Sequence, residues 1–196
     1  MKTLPEVFII ESLDPDDEGN GRCEGVMISH ILRLHGKNPK YHYVRTRAEF
    51  EKAIDEFGRS RYRYLHISAH GNQEGLCTTN QEEIDFDELG DLLQPHLEGR
   101  RLFLSSCEMV HKELAAEIIP KSGCFSVIGP TVKISFSDAV VVWASIYHLM
   151  FSRNSKVMKR AELEQQLKKV FALFEVPLAF FSKTKAEPGY AENLVQ

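Results

Sequence analysis

The chain has 196 residues, 43% hydrophobic and 27% charged, enough to bury one large core and most simply a single domain. A formal charge of −4 with scattered Lys and Arg and no basic tract argues against direct nucleic-acid binding. The longest apolar stretch, Ala139 to Phe151, carries His148 and is too short to span a bilayer.

The opening, Met1-Lys2-Thr3-Leu4-Pro5-Glu6, lacks the apolar core and cleavage site of a signal peptide. Cys23, Cys77, Cys107 and Cys124 form no CxxC pair, which fits free thiols in a reducing compartment. The expected location is cytoplasmic, with no membrane association.

In chain order, Val7 to Leu13 predicts a strand, followed by an acidic loop from Asp14 to Gly21. Arg22 to His35 shows helical apolar spacing and stops at Gly36. Tyr41 to Arg45 predicts a short strand. Thr46 to Phe57 predicts a helix with Thr46 as N-cap, Glu49 as capping-box partner and Gly58 as terminator. The apolar run Tyr62 to Ala69 reads as a buried strand ending at His70-Gly71, and a polar loop, with room for a small hairpin, extends to Gln81.

Asp85 to Leu97 predicts a helix, and Arg101 to Ser106 a second buried strand ending at Cys107. Val110 to Ile119 predicts a short helix closed by Pro120, and Phe125 to Ile128 a strand closed by Gly129-Pro130. Ser137 is the expected cap of a long apolar helix, Asp138 to Phe151. Lys159 to Phe174 is amphipathic, and its Leu163, Leu167, Val170, Phe171 stripe is expected to be core. Leu178 to Ser182 predicts an edge strand. Strands spaced by helices imply an α/β fold, a mainly parallel sheet flanked by helices on both faces, with the active edge at the strand C-termini. The expected domain is 1–182, with a loose polar tail at 183–196.

Parallel strands finish on one edge, so His70 and Cys107 are expected to meet there although 37 residues apart. A thiol and an imidazole together are the minimum for cysteine nucleophilic catalysis. Ser105, Ser106 and Glu108 make that strand end polar, and the helix expected from Val110 would bring its N-terminus near the thiol. Gly71 is expected to let a ligand approach its backbone. His66, deeper in the strand, is expected to be a packed histidine.

His66-Ile67-Ser68-Ala69-His70-Gly71 and Leu102-Phe103-Leu104-Ser105-Ser106-Cys107 resemble the caspase-like clan of cysteine peptidases, and within it the bacterial CHAT branch, relatives of separase and metacaspases. The loop Gly71 to Leu76 and the segment Ile128-Gly129-Pro130 to Ser137-Asp138, leading to a helix with Trp143 and Tyr147, share the resemblance. No Gln-Ala-Cys-Arg-Gly box is present, so specificity for aspartate is not implied. The resemblance implies Cys107 as nucleophile and His70 as general acid/base. It also implies the backbone N–H groups of Gly71 and Cys107 as oxyanion donors. It further implies a cysteine endopeptidase acting on protein substrates, gated by a regulatory or activating partner, in a bacterial defence or stress system. No third, orienting residue is identifiable.

The acidic loop leaves the same sheet edge, so Asp14, Asp16 and Asp17, together with Asp138, are the substrate-binding candidates for a basic residue; a solvated loop is the competing reading. Asp14, Asp16, Glu18 and Gly19 also match the opening of an EF-hand loop, but Gly25 stands where a bidentate acid is needed. No metal or other cofactor is expected. The alternative function is a non-catalytic scaffold of the same fold.

Overall fold

The computed structural model describes residues 3–195, with backbone alone for 194 and 195. Met1, Lys2 and Gln196 lie outside the described residues, so the expectations that touch them extend beyond this description. β1 (Leu4–Ser12) leads through a one-turn helix α1 (Pro15–Gly19) to α2 (Glu24–Leu34) and β2 (Lys40–Tyr43). α3 (Arg47–Arg59) precedes β3 (Tyr62–Gly71) and a hairpin of β4 (Gly75–Cys77) and β5 (Glu83–Asp85). α4 (Phe86–Leu93), β6 (Arg101–Ser105), α5 (Lys112–Ser122) and β7 (Ser126–Pro130) follow. α6 (Phe136–Arg153), α7 (Arg160–Phe174), β8 (Leu178–Lys183) and β9 (Tyr190–Val195) complete the chain.

The main sheet runs β2-β1-β3-β6-β7-β8-β9, parallel from β2 to β7 and antiparallel at β8 and β9. β1 alternates its side chains across the sheet. Phe8 and Ile10 enter a core with Phe50, Phe57, Leu89 and Ile118 of α3, α4 and α5. Val7 and Ile9 enter the opposite core with Ile28, Trp143 and Leu167 of α2, α6 and α7. Helices therefore cover both faces, as the alternating sequence pattern requires. From β1 the chain winds first to β2 on one side and then to β3 on the other. Their C-terminal ends bound the crevice where open α/β sheets bind ligands.

Several boundaries differ from the sequence expectation. Asp14 to Gly21 is not all loop: Asp14 caps α1 by accepting from the Asp17 N–H at 2.9 Å. α6 begins earlier because Ser135, not Ser137, caps it, accepting from the Asp138 N–H at 3.1 Å. α5 begins only at Lys112, so Cys107 does not sit in a helix N-terminal turn. That helix also continues past Pro120, stopping at Gly123 with φ 73°.

The tail beyond Lys183 is not loose. Tyr190–Val195 pairs with β8, and Tyr190 packs edge-on against Phe181 at 5.8 Å, which turns β8 from an edge into an interior strand. The Thr46–Glu49 capping box forms as expected.

Candidate active site

His70 stands at the end of β3, where the β4 hairpin pairs back on it through His70↔Cys77 and Gly71↔Leu76. Its Nε2 lies 2.8 Å from Asp17 Oδ2. A carboxylate only accepts, so Nε2 carries the proton and Nδ1, which has no hydrogen bond among the described residues, is left to exchange one. Asp17 is nearly buried, its side chain 8% exposed against 42% for His70, and its other oxygen accepts from Arg22 Nη1. Asp14 Oδ2 is 3.9 Å from the same ring nitrogen, and the N–H of Asp17 holds the Asp14 carboxyl below its ordinary range.

The Phe136 ring meets the imidazole edge-on at 5.8 Å, and the Arg22 guanidinium stands 5.8 Å above that phenyl. Asp17 is thus the residue that orients the imidazole, a partner the sequence reading did not identify. It was expected to bind substrate, but both its oxygens are already committed to His70 and Arg22.

Cys107 follows β6 directly and is half-buried. Its sulfur accepts from the Ile134 N–H at 3.5 Å and lies 3.7 Å from the Ile134 carbonyl. Glu108, with φ 57°, turns the chain sharply after the thiol, and its N–H is tied to the Val132 carbonyl at 3.3 Å. Gly71 is required for packing: a Cβ there would come within 2.6 Å of Met109 Sδ and 3.1 Å of Ser106 Cβ. Side chains, not a ligand, fill that space.

His70 and Cys107 line one cavity of about 40 Å³, together with Glu24, Ser106, Ile134 and Phe136. None of Asp14, Asp16, Asp17 and Asp138 lines it. Asp16 is exposed, and Asp138 accepts from its own cap, Ser135 Oγ, at 2.7 Å. The acid that does line the cavity is Glu24, 1% exposed, which accepts from Ser105 Oγ at 2.7 Å and from His66 Nε2 at 3.0 Å.

His66 is buried as expected. Its Nδ1 lies 3.0 Å from the hydroxyl of Tyr147, whose pKa burial raises well above the ordinary value, so the phenol donates. The Ser106 hydroxyl, 2% exposed, lines the cavity with no hydrogen-bond partner.

Beneath lies Glu11, fully buried, accepting from the Gly25 N–H at 2.8 Å and the Tyr41 hydroxyl at 2.7 Å. Burial pushes its carboxyl up to about 7 against those hydrogen bonds. No sequence signal marked Glu11, at the end of an apolar run, or Glu24, among the polar and small residues that open α2.

Among the described residues one group has ligand atoms close enough to hold a metal ion: Asp14, Asp17 and His70, all within 4.8 Å. The Arg22 and His70 contacts already compensate Asp17. The EF-hand arrangement does not form, because the segment is helical and Glu18 pairs with Arg45. The other three thiols are pushed toward the protonated form by burial, Cys124 to about 11, with Cys23 and Cys77 also raised by nearby acids.

This is the α/β fold of caspase-like, clan CD cysteine proteases. No protein-family model matches the sequence, and no curated protein matches it. Among solved structures the chain is similar to the Arg-specific cysteine proteinase gingipain R, with a TM-score of 0.58 and 13% identity over 89% of this chain and 43% of that one. It is similar to iotapain, a secreted C11 cysteine protease from Bacteroides thetaiotaomicron, with a TM-score of 0.58 and 13% identity over 93% and 67%.

A secreted C11 protease of the same organism, in complex with an irreversible peptide inhibitor, gives a TM-score of 0.62 and 8% identity over 91% and 66%. The chain therefore spans less than half of the gingipain chain and about two thirds of the C11 chains. At such identity the likeness establishes the fold. No described helix is long and apolar enough to cross a membrane.

Proposed function

We infer that the chain is a cysteine endopeptidase in which Cys107, His70 and Asp17 act together. The observation that carries this reading is the hydrogen bond from His70 Nε2 to the nearly buried Asp17, on the rim of a cavity shared with the Cys107 thiol. His70 Nδ1 takes the Cys107 thiol proton as the sulfur attacks the scissile carbonyl carbon, and the N–H groups of Gly71 and Cys107 receive the oxyanion. His70 Nδ1 passes a proton to the departing amine as the C–N bond breaks, leaving a thioester that water hydrolyses. Asp17 fixes the tautomer and offsets the charge of the imidazolium. The CHAT-type assignment, cytoplasmic location and role in bacterial defence or stress belong to this same reading and rest on resemblance.

A basic residue before the scissile bond suits the site, because the unpartnered Ser106 hydroxyl offers an acceptor to an ammonium or guanidinium and Glu24, held in place by Ser105 and His66, is the acidic group of the cavity wall. At about 40 Å³ the cavity has room for a water or two and not for such a side chain. The wall of Ile134 and Phe136 has to move outward first, and a regulatory protein partner is the agent we assign to that step. The same narrow cavity and the amide contact on the sulfur favour a second reading, a non-catalytic scaffold.

A lysyl-peptide acyloxymethyl ketone separates the two. The peptidase yields one adduct, on Cys107, lost in His70→Ala. Adducts spread over Cys23 and Cys77, or none on any thiol, assign the scaffold.

A further inference from the structure

Away from the active site, α2, α6 and α7 present three apolar stripes to solvent, with α6 between the other two. On α2 the stripe is Met27, Ile31 and Leu34, at helical spacing, with Leu34 83% exposed. On α6 it runs from Val141, 41% exposed, to Ala144 and Leu149; on α7 Leu173 stands 71% exposed next to Val170, which is buried in the core and also lines the groove. Ile31, Ala144, Leu149, Val170 and Leu173 line a groove of about 470 Å³, and Met27, Leu34 and Val141 lie outside its lining. Exposed leucines beside a continuous apolar groove make a contiguous apolar patch, the kind of surface that meets another molecule.

Charge indicates which molecule. The chain as a whole is acidic, with 28 Asp and Glu against 24 Lys and Arg. Yet α2 carries no acid after Glu24, α6 none after Asp138, and α7 none after Glu164. The groove is flanked instead by Lys169 and His148, the latter 3.1 Å from His35 across the α2–α6 seam. Lys169 has no ion-pair partner among the described residues, whereas its neighbour Lys168 pairs with Glu164 at 3.0 Å.

We propose that this groove docks an amphipathic helix of a partner protein, its leucine-type side chains seated between α2, α6 and α7 and its acidic flank facing Lys169 and His148. A helix laid in a groove reads anchors at i, i+3 or i+4, and i+7, which matches the spacing of the stripes. A second copy of this chain seated face to face on the groove would bring Lys169 toward the partner's lysine rather than toward an acid. A membrane is a poorer fit, because the surface is concave and one lysine supplies only about 1 kcal/mol of attraction to anionic lipid. The proposal does not depend on the peptidase reading.

The test uses the full chain and two fluorescent 18-residue helical peptides with the same leucine stripe, one flanked by Glu and the other by Lys, in fluorescence anisotropy. The Glu-flanked peptide is expected to bind at least tenfold more tightly than the Lys-flanked one. Leu173→Glu and Lys169→Glu are each expected to weaken it tenfold or more, while Lys52→Glu on α3 does not, all three melting within a few degrees of wild type. Equal binding of the two peptides, or binding of neither, overturns the proposal. So does concentration-dependent dimerisation abolished by Leu173→Glu, or retention on phosphatidylglycerol vesicles without peptide binding; these assign the face to a second copy or a membrane.

Discussion

Asp17→Asn tests the site most directly, because Asp17 faces two donors at once. Its carboxylate accepts from His70 Nε2 at 2.8 Å and from Arg22 Nη1. Asparagine has one acceptor oxygen for two donors. Arginine has no lone pair to offer, so the amide oxygen turns to Arg22 and the NH2 to His70. Nε2 then gives up its hydrogen, the proton moves to Nδ1, and the general base is lost.

The charge-assisted bond itself contributes about 1.5–3 kcal/mol, and with His70 two-fifths exposed the lower end applies. That is roughly tenfold in rate, and the tautomer shift raises the expected loss toward a hundredfold. The assay is the second-order rate of Cys107 modification by a lysyl-peptide acyloxymethyl ketone, followed by intact mass. The double variant Arg22→Ala/Asp17→Asn releases the amide to turn its oxygen back to His70, so it should react faster than Asp17→Asn alone. A rate for Asp17→Asn within twofold of wild type, or a double variant slower than the single, refutes the orienting role.

Glu11 should make stability fall with rising pH. Its folded pKa is raised, so the native chain holds the proton longer than the unfolded one. The stabilisation is complete below about 4.5 and is lost by about 7, a difference of about 3 kcal/mol at most. Denaturant titrations of wild type and Glu11→Gln at pH 4.5 and 8 should therefore show a smaller difference in the variant, and equal differences would contradict the assignment. Gly71→Ala should drive Met109 out of its fully buried position and cost roughly 1–3 kcal/mol in a thermal melt, whereas Gly19→Ala, with open space at its Cβ, should leave the melt unchanged. Glu24→Gln should reduce labelling by lysyl and arginyl probes at least fivefold relative to a leucyl probe; an unchanged ranking would remove Glu24 from substrate selection.

The strand–helix alternation was legible because β1 and β3 are rich in β-branched and aromatic residues, β6 is a short Leu-Phe-Leu run, and α3 carries its own capping box. His70 and Cys107 were legible because each ends such a strand. The rest needed distances. Asp17 sat among four similar acids, and only the turn of α1 brings it, rather than Asp14 or Asp16, to the imidazole. Glu24 drew no notice in the sequence, and its place in the cavity depends on α2 packing over β1 and β2, from where it reaches His66 and Ser105. Tyr190–Val195 alternates without an apolar run, and only pairing with β8 makes it a strand.

α6 is an uninterrupted rod of 18 residues without proline, about 27 Å long. One end forms the wall over the thiol, and the other lies in the exposed apolar face on the far side of the molecule. Such a rod does not absorb a push. The phenyl ring that meets the imidazole and the leucine of the outer groove are thus carried on one helix with no joint between them.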